Sequence, residues 1–243
     1  MNTLIATESM STQECDWSFP PSNIMLRKGD VHVWWASLDQ MESNLGQLGG
    51  TLNTEELRRA TRVTHGSRNK RFITSRGILR MILGSYLQVN PSELRFSFGK
   101  EGKPSLTKNF PEYPIQFNVA HSSGMVLYAF TLGRQVGVDL ERIERIYQLE
   151  EIACRFLSNA DRETISKFSG YKKYVTFFQI WTRKEAYLKA RGKGLSDISI
   201  DIENISKDSH WSIRLLNPGP RFVGALVVEG SIERLKFWRY SEL

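Results

Sequence analysis

The stretch from Trp181 to Gly194, W-T-R-K-E-A-Y-L-K-A-R-G-K-G, constrains this chain most. Upstream of it Tyr174, Phe177, Phe178 and Trp181 recur at i, i+3, i+4 and i+7, and Leu188 continues the series. That spacing predicts an amphipathic helix with a buried apolar stripe. At about 100° per residue, Glu185 falls within the stripe, and Lys189 follows one turn later on its edge. A carboxylate aimed into an apolar seam is costly unless something pairs with it. Two readings are open: a Glu185–Lys189 helix pair, or a metal or active-site carboxylate with a lysine beside it.

A second carboxylate pair narrows the choice. Val136-Gly137-Val138-Asp139-Leu140-Glu141 reads as a strand, so Asp139 and Glu141 share one face while Val138 and Leu140 enter the core. Two acids on one strand face repel unless they are solvated or a cation sits between them. Oxygen-only ligands favour a hard ion such as Mg²⁺. His121 ends the alternating strand Ile115 to Ala120, at a strand-to-loop junction where ligand groups are often displayed. Lys103 sits in a Gly-Lys-Pro turn whose proline restricts its direction. No Walker loop and no G-x-G-x-x-G follows a strand, so neither standard nucleotide cradle is present. The inventory points to metal-assisted chemistry on a phosphorylated substrate.

Further strands are predicted at Val31–Trp35, Leu94–Phe98, Val126–Leu132, Ile198–Ile202, Ser212–Leu216, Val223–Val228 and Leu235–Tyr240. Helices are predicted from Asn53 or Thr54, over Ser67–Leu87 and from Ser158. On the Ser67–Leu87 helix, Arg71, Arg76 and Arg80 read as a solvated face. Helices followed by strands in both halves predict two similar α+β lobes, 30–133 and 134–243. Residues 1–29, polar with Pro20-Pro21, are expected to be a mobile or surface-draped extension whose deletion leaves activity intact. Two cysteines without C-x-x-C spacing argue against disulfides and zinc and make the cytoplasm the expected compartment. Neither a membrane span nor a secretory signal is predicted. The net charge of +7 favours acidic partners.

Taken in order, Gly102-Lys103-Pro104, Phe117-Asn118-Val119-Ala120-His121-Ser122, Val136 to Glu141 and Trp181 to Lys189 resemble the 4'-phosphopantetheinyl transferase superfamily. The 243-residue length resembles its Sfp-type branch, a monomer of two lobes related by a pseudo-twofold, each with a small antiparallel sheet and a long helix. The resemblance implies Mg²⁺-dependent transfer of phosphopantetheine from coenzyme A to a serine of an apo acyl or peptidyl carrier protein. Fatty-acid, polyketide and peptide synthases are all open as the source of that carrier. By similarity Asp139, Glu141 and Glu185 bind Mg²⁺, Glu185 is also the base, and Lys189 neutralises charge on the leaving phosphate. Arg59, Lys103 and His121 contact the phosphates and nucleotide of coenzyme A, so Lys103→Ala is expected to weaken coenzyme binding. Ala120, where relatives often have serine, and Phe72, where one branch has threonine, depart from the pattern.

Two rivals stand beside this reading. A nucleic-acid-binding protein would use Arg58, Arg59, Arg62, Arg68, Lys70 and Arg71 to track phosphates, but leaves Glu185 and the Asp139–Glu141 strand without a task. A magnesium-dependent nucleotidyl or phosphoryl transferase of another family would act on a nucleoside triphosphate instead.

Overall fold

The computed structural model describes residues 12–63, 66–99, 101–107, 114–194 and 210–241. The predicted strand Ile198–Ile202 lies outside them. The first lobe comprises β2 (Asp30–Ser37), α1 (Leu45–Gly50), α2 (Thr54–Val63), α3 (Ser67–Leu87), β3 (Phe96–Phe98), β4 (Pro104–Leu106), β5 (Ile115–Ser122) and β6 (Met125–Leu132). The second comprises β7 (Val136–Arg142), α4 (Leu149–Phe156), α5 (Asn159–Ser166), α6 (Gly170–Arg191), β8 (Trp211–Asn217) and β9 (Phe222–Glu229). In each, a strand leads through helices to a long helix and then to an antiparallel strand pair. Both sheets place the third of these strands between the first and second, as β2-β6-β5 and β7-β9-β8.

The sheets are not purely antiparallel. β10 (Arg234–Arg239) returns from the C-terminus to pair in parallel with β2, while β1 (Gln13–Glu14) pairs in parallel with β8. The chain therefore exchanges an edge strand between its halves, and residues 234–239 belong structurally with the first lobe. Of the two forms expected for the extension, mobile or surface-draped, residues 12–29 follow the draped one. Ser18 bridges to Trp238 and the Trp17 indole N–H donates to Pro218 O at 3.2 Å. Ile24 is buried in the first-lobe core. Deleting residues 1–29 removes these contacts with both sheets.

Alternation along the strands builds the layers. Trp34, Tyr128 and Phe130 face Ile78, Leu79, Ile82 and Leu83 of α3. Val31, Val33, Leu127 and Ala129 point the other way, onto Val138, Leu140, Leu226 and Val228 of the second sheet. The far face of that sheet receives α6 through Ala186, Tyr187 and Ala190. Two helix-backed sheets thus meet face to face, and β7 lies between the first sheet and α6.

Several polar groups inside this core are paired. Arg80, expected on a solvated face, is fully buried and donates to Glu56 Oε2 at 2.6 and 3.0 Å, and to Pro91 O at 2.7 Å. The Trp34 indole N–H donates to the Tyr86 hydroxyl at 2.8 Å, and the same hydroxyl is hydrogen-bonded to His32 Nδ1 at 2.7 Å. His32 is held neutral by burial, which pushes its imidazole down to about 4. The unfolded chain takes up this proton near the ordinary value of 6.5, so stability present above pH 6.5 is lost as pH falls toward 4. The span corresponds to about 3 kcal/mol. Denaturant midpoints across this range should fall in the wild type and fall markedly less in His32→Gln; parallel profiles would remove His32 as the cause.

Candidate active site

The alternation that sends Val136, Val138 and Leu140 into the intersheet core turns Gly137, Asp139 and Glu141 toward α6. At Gly137 the backbones nearly touch, since a Cβ there would lie 1.9 Å from Ala186 O and 2.5 Å from Ala190 N. This close approach brings Asp139 to Lys189, whose ammonium sits 2.6 Å from Asp139 Oδ1. The lysine thus forms a cross-element pair with the strand carboxylate as well as sharing a helix face with Glu185. α6 is oriented from its other side by α5. The Ser158–Asp161 capping box starts α5, and buried Lys184 on α6 reaches Asp161 Oδ2 at 2.5 Å.

The three carboxylates are short of positive charge. Asp139 Oδ2 is buried with no hydrogen-bond partner. Glu141 is pushed up to about 7, first by burial and then by Asp139, against the opposing hydrogen bond from Ser122 Oγ at 3.1 Å. Glu185 is also raised, by burial and then by Asp139, with Lys189 opposing. Both shifts come first from burial and then from repulsion by Asp139, and among the described residues the Lys189 ammonium is the cation that opposes them. A hard divalent cation would relieve that repulsion and use the unpartnered oxygen, so the donor chemistry fits Mg²⁺. The cage is not closed: among the described residues, no three His, Cys, Asp or Glu side chains are grouped as ready ligands.

A cavity of about 480 Å³ opens beside this cluster, between α3 and the β5–β6 hairpin. His121 lines it from the α3-facing side of β5, and Ser122 lines both the cavity and Glu141. Arg68, Arg71 and Arg76 line the opposite wall. The Arg76 side chain is 12% exposed and its Nε lies 3.5 Å from Glu56 Oε1, while its buried Nη1 has no hydrogen-bond partner. The rings of Phe72, Phe96 and Phe98 surround its guanidinium at 5.8, 5.4 and 5.7 Å, and burial lowers its pKa. Such a desolvated cation with a free donor is suited to an anionic ligand. Arg71 at the rim is engaged by Asp39 at 2.7 and 2.8 Å.

The sequence-predicted residues therefore divide. Asp139, Glu141, Glu185 and Lys189 come together, and His121 faces the adjoining cavity. Arg59 lies outside its lining, with its guanidinium over the Phe98 ring at 5.5 Å. Lys103 is not brought to the cavity; its ammonium is bonded to main-chain carbonyls of β7 and α6. Ala120 faces the intersheet core, so its missing hydroxyl is not a cavity contact, whereas Phe72 does line the cavity. Arg76 and Ser122 were not singled out as ligand-facing groups from the sequence, and Arg68 and Arg71 only as phosphate-tracking groups of the nucleic-acid rival. The one available signal was arginine recurring among the apolar positions of a buried helix.

This geometry agrees with the comparisons. A family model described as the ACPS 4'-phosphopantetheinyl transferase superfamily matches residues 135–224, which run from β7 through α6 and β8 to the start of β9. The 4'-phosphopantetheinyl transferase HetI of Nostoc sp. is 38% identical over 232 residues, covering 92% of this chain and 98% of that protein. The chain belongs to the 4'-phosphopantetheinyl transferase superfamily. The 4'-phosphopantetheinyl transferase Sfp of Bacillus subtilis is a more distant relative, 29% identical over 146 residues, covering 60% of this chain and 62% of its own. Within the superfamily match lie both the strand acids Asp139 and Glu141 and the helix pair Glu185 and Lys189.

Proposed function

We propose that this phosphopantetheinyl transferase moves the 4'-phosphopantetheine group of coenzyme A to a serine hydroxyl of an apo carrier protein. The products are holo carrier protein and adenosine 3',5'-bisphosphate. The observation that carries this reading is the junction of a carboxylate cluster with an arginine-walled cavity, joined through Ser122.

Asp139, Glu141 and Glu185 would hold Mg²⁺, with water completing its shell, and the ion would supply positive charge to the coenzyme's pyrophosphate. The cavity accommodates the nucleotide end, where His121 and Arg76 on its walls face the phosphate oxygens. Glu185, whose affinity for a proton is raised by burial, accepts the proton of the carrier serine directly or through water. The serine oxygen forms the new P–O bond as the pyrophosphate P–O bond breaks, and the nucleotide phosphate departs. Lys189, fixed by Asp139, places positive charge beside that departure. The net charge of +7 complements both a polyanionic coenzyme and an acidic carrier.

The test is release of adenosine 3',5'-bisphosphate from coenzyme A. It should require both an apo carrier with its serine intact and a divalent metal, and a chelator should stop it. Release without carrier would make the protein a coenzyme A hydrolase. Turnover of a nucleoside triphosphate with none of coenzyme A would favour a different phosphoryl transferase.

A further inference from the structure

Lys103 belongs to the first lobe, on the loop that enters β4, yet its ammonium is spent on the second. Nζ donates to Lys189 O at 2.8 Å, to Val136 O at 3.0 Å and to Ala190 O at 3.4 Å. Val136 opens the strand that carries Asp139 and Glu141, and Lys189 and Ala190 end the helix that carries Glu185. The last carbonyls of a helix lack intrahelical partners and form the negative end of its dipole, so a cation there is favourable. Gly192, in the left-handed conformation at φ 64°, closes the same terminus by donating its N–H to Lys189 O at 3.2 Å.

We infer that Lys103 is a positioning residue that fixes β7 against α6, and with them Lys189 against Asp139, rather than a ligand of coenzyme A. The inference rests on the transferase reading for its kinetic consequence. Its structural half stands independently. Val136 lies three residues before Asp139, and Lys189 and Ala190 lie four and five residues after Glu185, on the two elements whose separation sets the Asp139–Lys189 distance of 2.6 Å. The ammonium crosses to them from the loop that enters β4, so it also ties that loop to the alignment of the reacting groups. Burial brings its pKa down to about 8, as expected for an ammonium surrounded by carbonyls with no carboxylate beside it. An unbranched apolar chain of similar length would fill the same channel without the three bonds.

Lys103→Met separates the two roles. A positioning residue predicts that kcat falls about tenfold to a hundredfold, because small misplacements of reacting groups cost that much. The KM for coenzyme A should stay within about twofold, as no coenzyme contact is removed. Amide hydrogen exchange at Gly192 and Lys193, whose N–H groups close the α6 terminus, should accelerate in the variant. A raised KM with unchanged kcat would return Lys103 to the coenzyme and overturn the inference, as would unchanged exchange together with unchanged kinetics. If the variant does not fold, the wild-type protein carries the test through nitrogen NMR of the Lys103 ammonium. Its resonance should remain solvent-protected and stationary when coenzyme A is added; a large shift on saturation would contradict the assignment. Loss of the transferase reading itself would show as no transfer by wild-type enzyme, while the exchange and NMR results would still report on the bonds.

Discussion

Glu185→Gln should reduce carrier modification by about a thousandfold or more while leaving the protein folded. Two roles are removed together, a metal oxygen and the proton acceptor, and loss of a general base alone costs about 10²–10⁴-fold. The stability side follows from the electrostatics. Burial and Asp139 both disfavour the ionised Glu185, so a neutral amide of the same shape relieves repulsion in the metal-free protein. Thermal unfolding of the variant should therefore lie at or above the wild-type temperature, and Mg²⁺ should raise it less than in wild type. Turnover within a few-fold of wild type would remove Glu185 from both assignments. A large fall in unfolding temperature would instead make it a structural carboxylate.

Gly137→Ala should damage fold and activity together. The added Cβ meets Ala186 O at 1.9 Å and Ala190 N at 2.5 Å, and both are backbone atoms of a continuous helix that cannot rotate away. Either α6 retreats from β7 or β7 shifts toward the first sheet, where Val138 and Leu140 are already close-packed. Overpacking of this kind costs about 3 kcal/mol. Any retreat of α6 also separates Lys189 and Glu185 from Asp139, so kcat should fall about a hundredfold in the molecules that remain folded. Gly50→Ala is the matched control, since a Cβ there meets nothing within 4 Å. A wild-type denaturation midpoint for Gly137→Ala would show that the strand-to-helix contact is looser than described.

This glycine explains why the strand motif begins as it does. The Asp139–Glu141 alternation and the apolar stripe of α6 were both legible in the sequence because each is a local periodicity with a buried face. Their apposition was not, because a missing side chain leaves no periodic mark. The same distinction runs through the fold. β2, α3, β5, β6, β7 and α6 follow from patterning within a single segment. The parallel pairings of β10 with β2 and β1 with β8 join residues far apart in the chain, and neither strand records its neighbour. The segment 12–29 looked like a solvated tail by composition, although Trp17 and Ile24 each find a place against the sheets.

The cationic residues show why charge alone misleads. Arg80 and Lys184 are as buried as core leucines because each meets a buried carboxylate, Glu56 and Asp161 respectively. Arg76 lies one helical turn from Arg80, its Nε 3.5 Å from Glu56 Oε1, and its side chain lines the cavity. Three arginines on one helix therefore have different tasks: a structural pair for Arg80, a cavity-lining cation for Arg76 and a rim contact for Arg71. Lys103 is the clearest case of a correct element with an unreadable partner. Its turn was expected to present an ammonium in a restricted direction, but the acceptors are carbonyls of the other lobe.

The most direct test of the account is the intact mass of an apo acyl carrier protein after incubation with this enzyme, coenzyme A and Mg²⁺. The account predicts a gain of one phosphopantetheine group on the carrier, absent with a chelator and absent with Glu185→Gln. An unchanged carrier mass across acyl, polyketide and peptidyl carriers, from enzyme that binds coenzyme A, would contradict it.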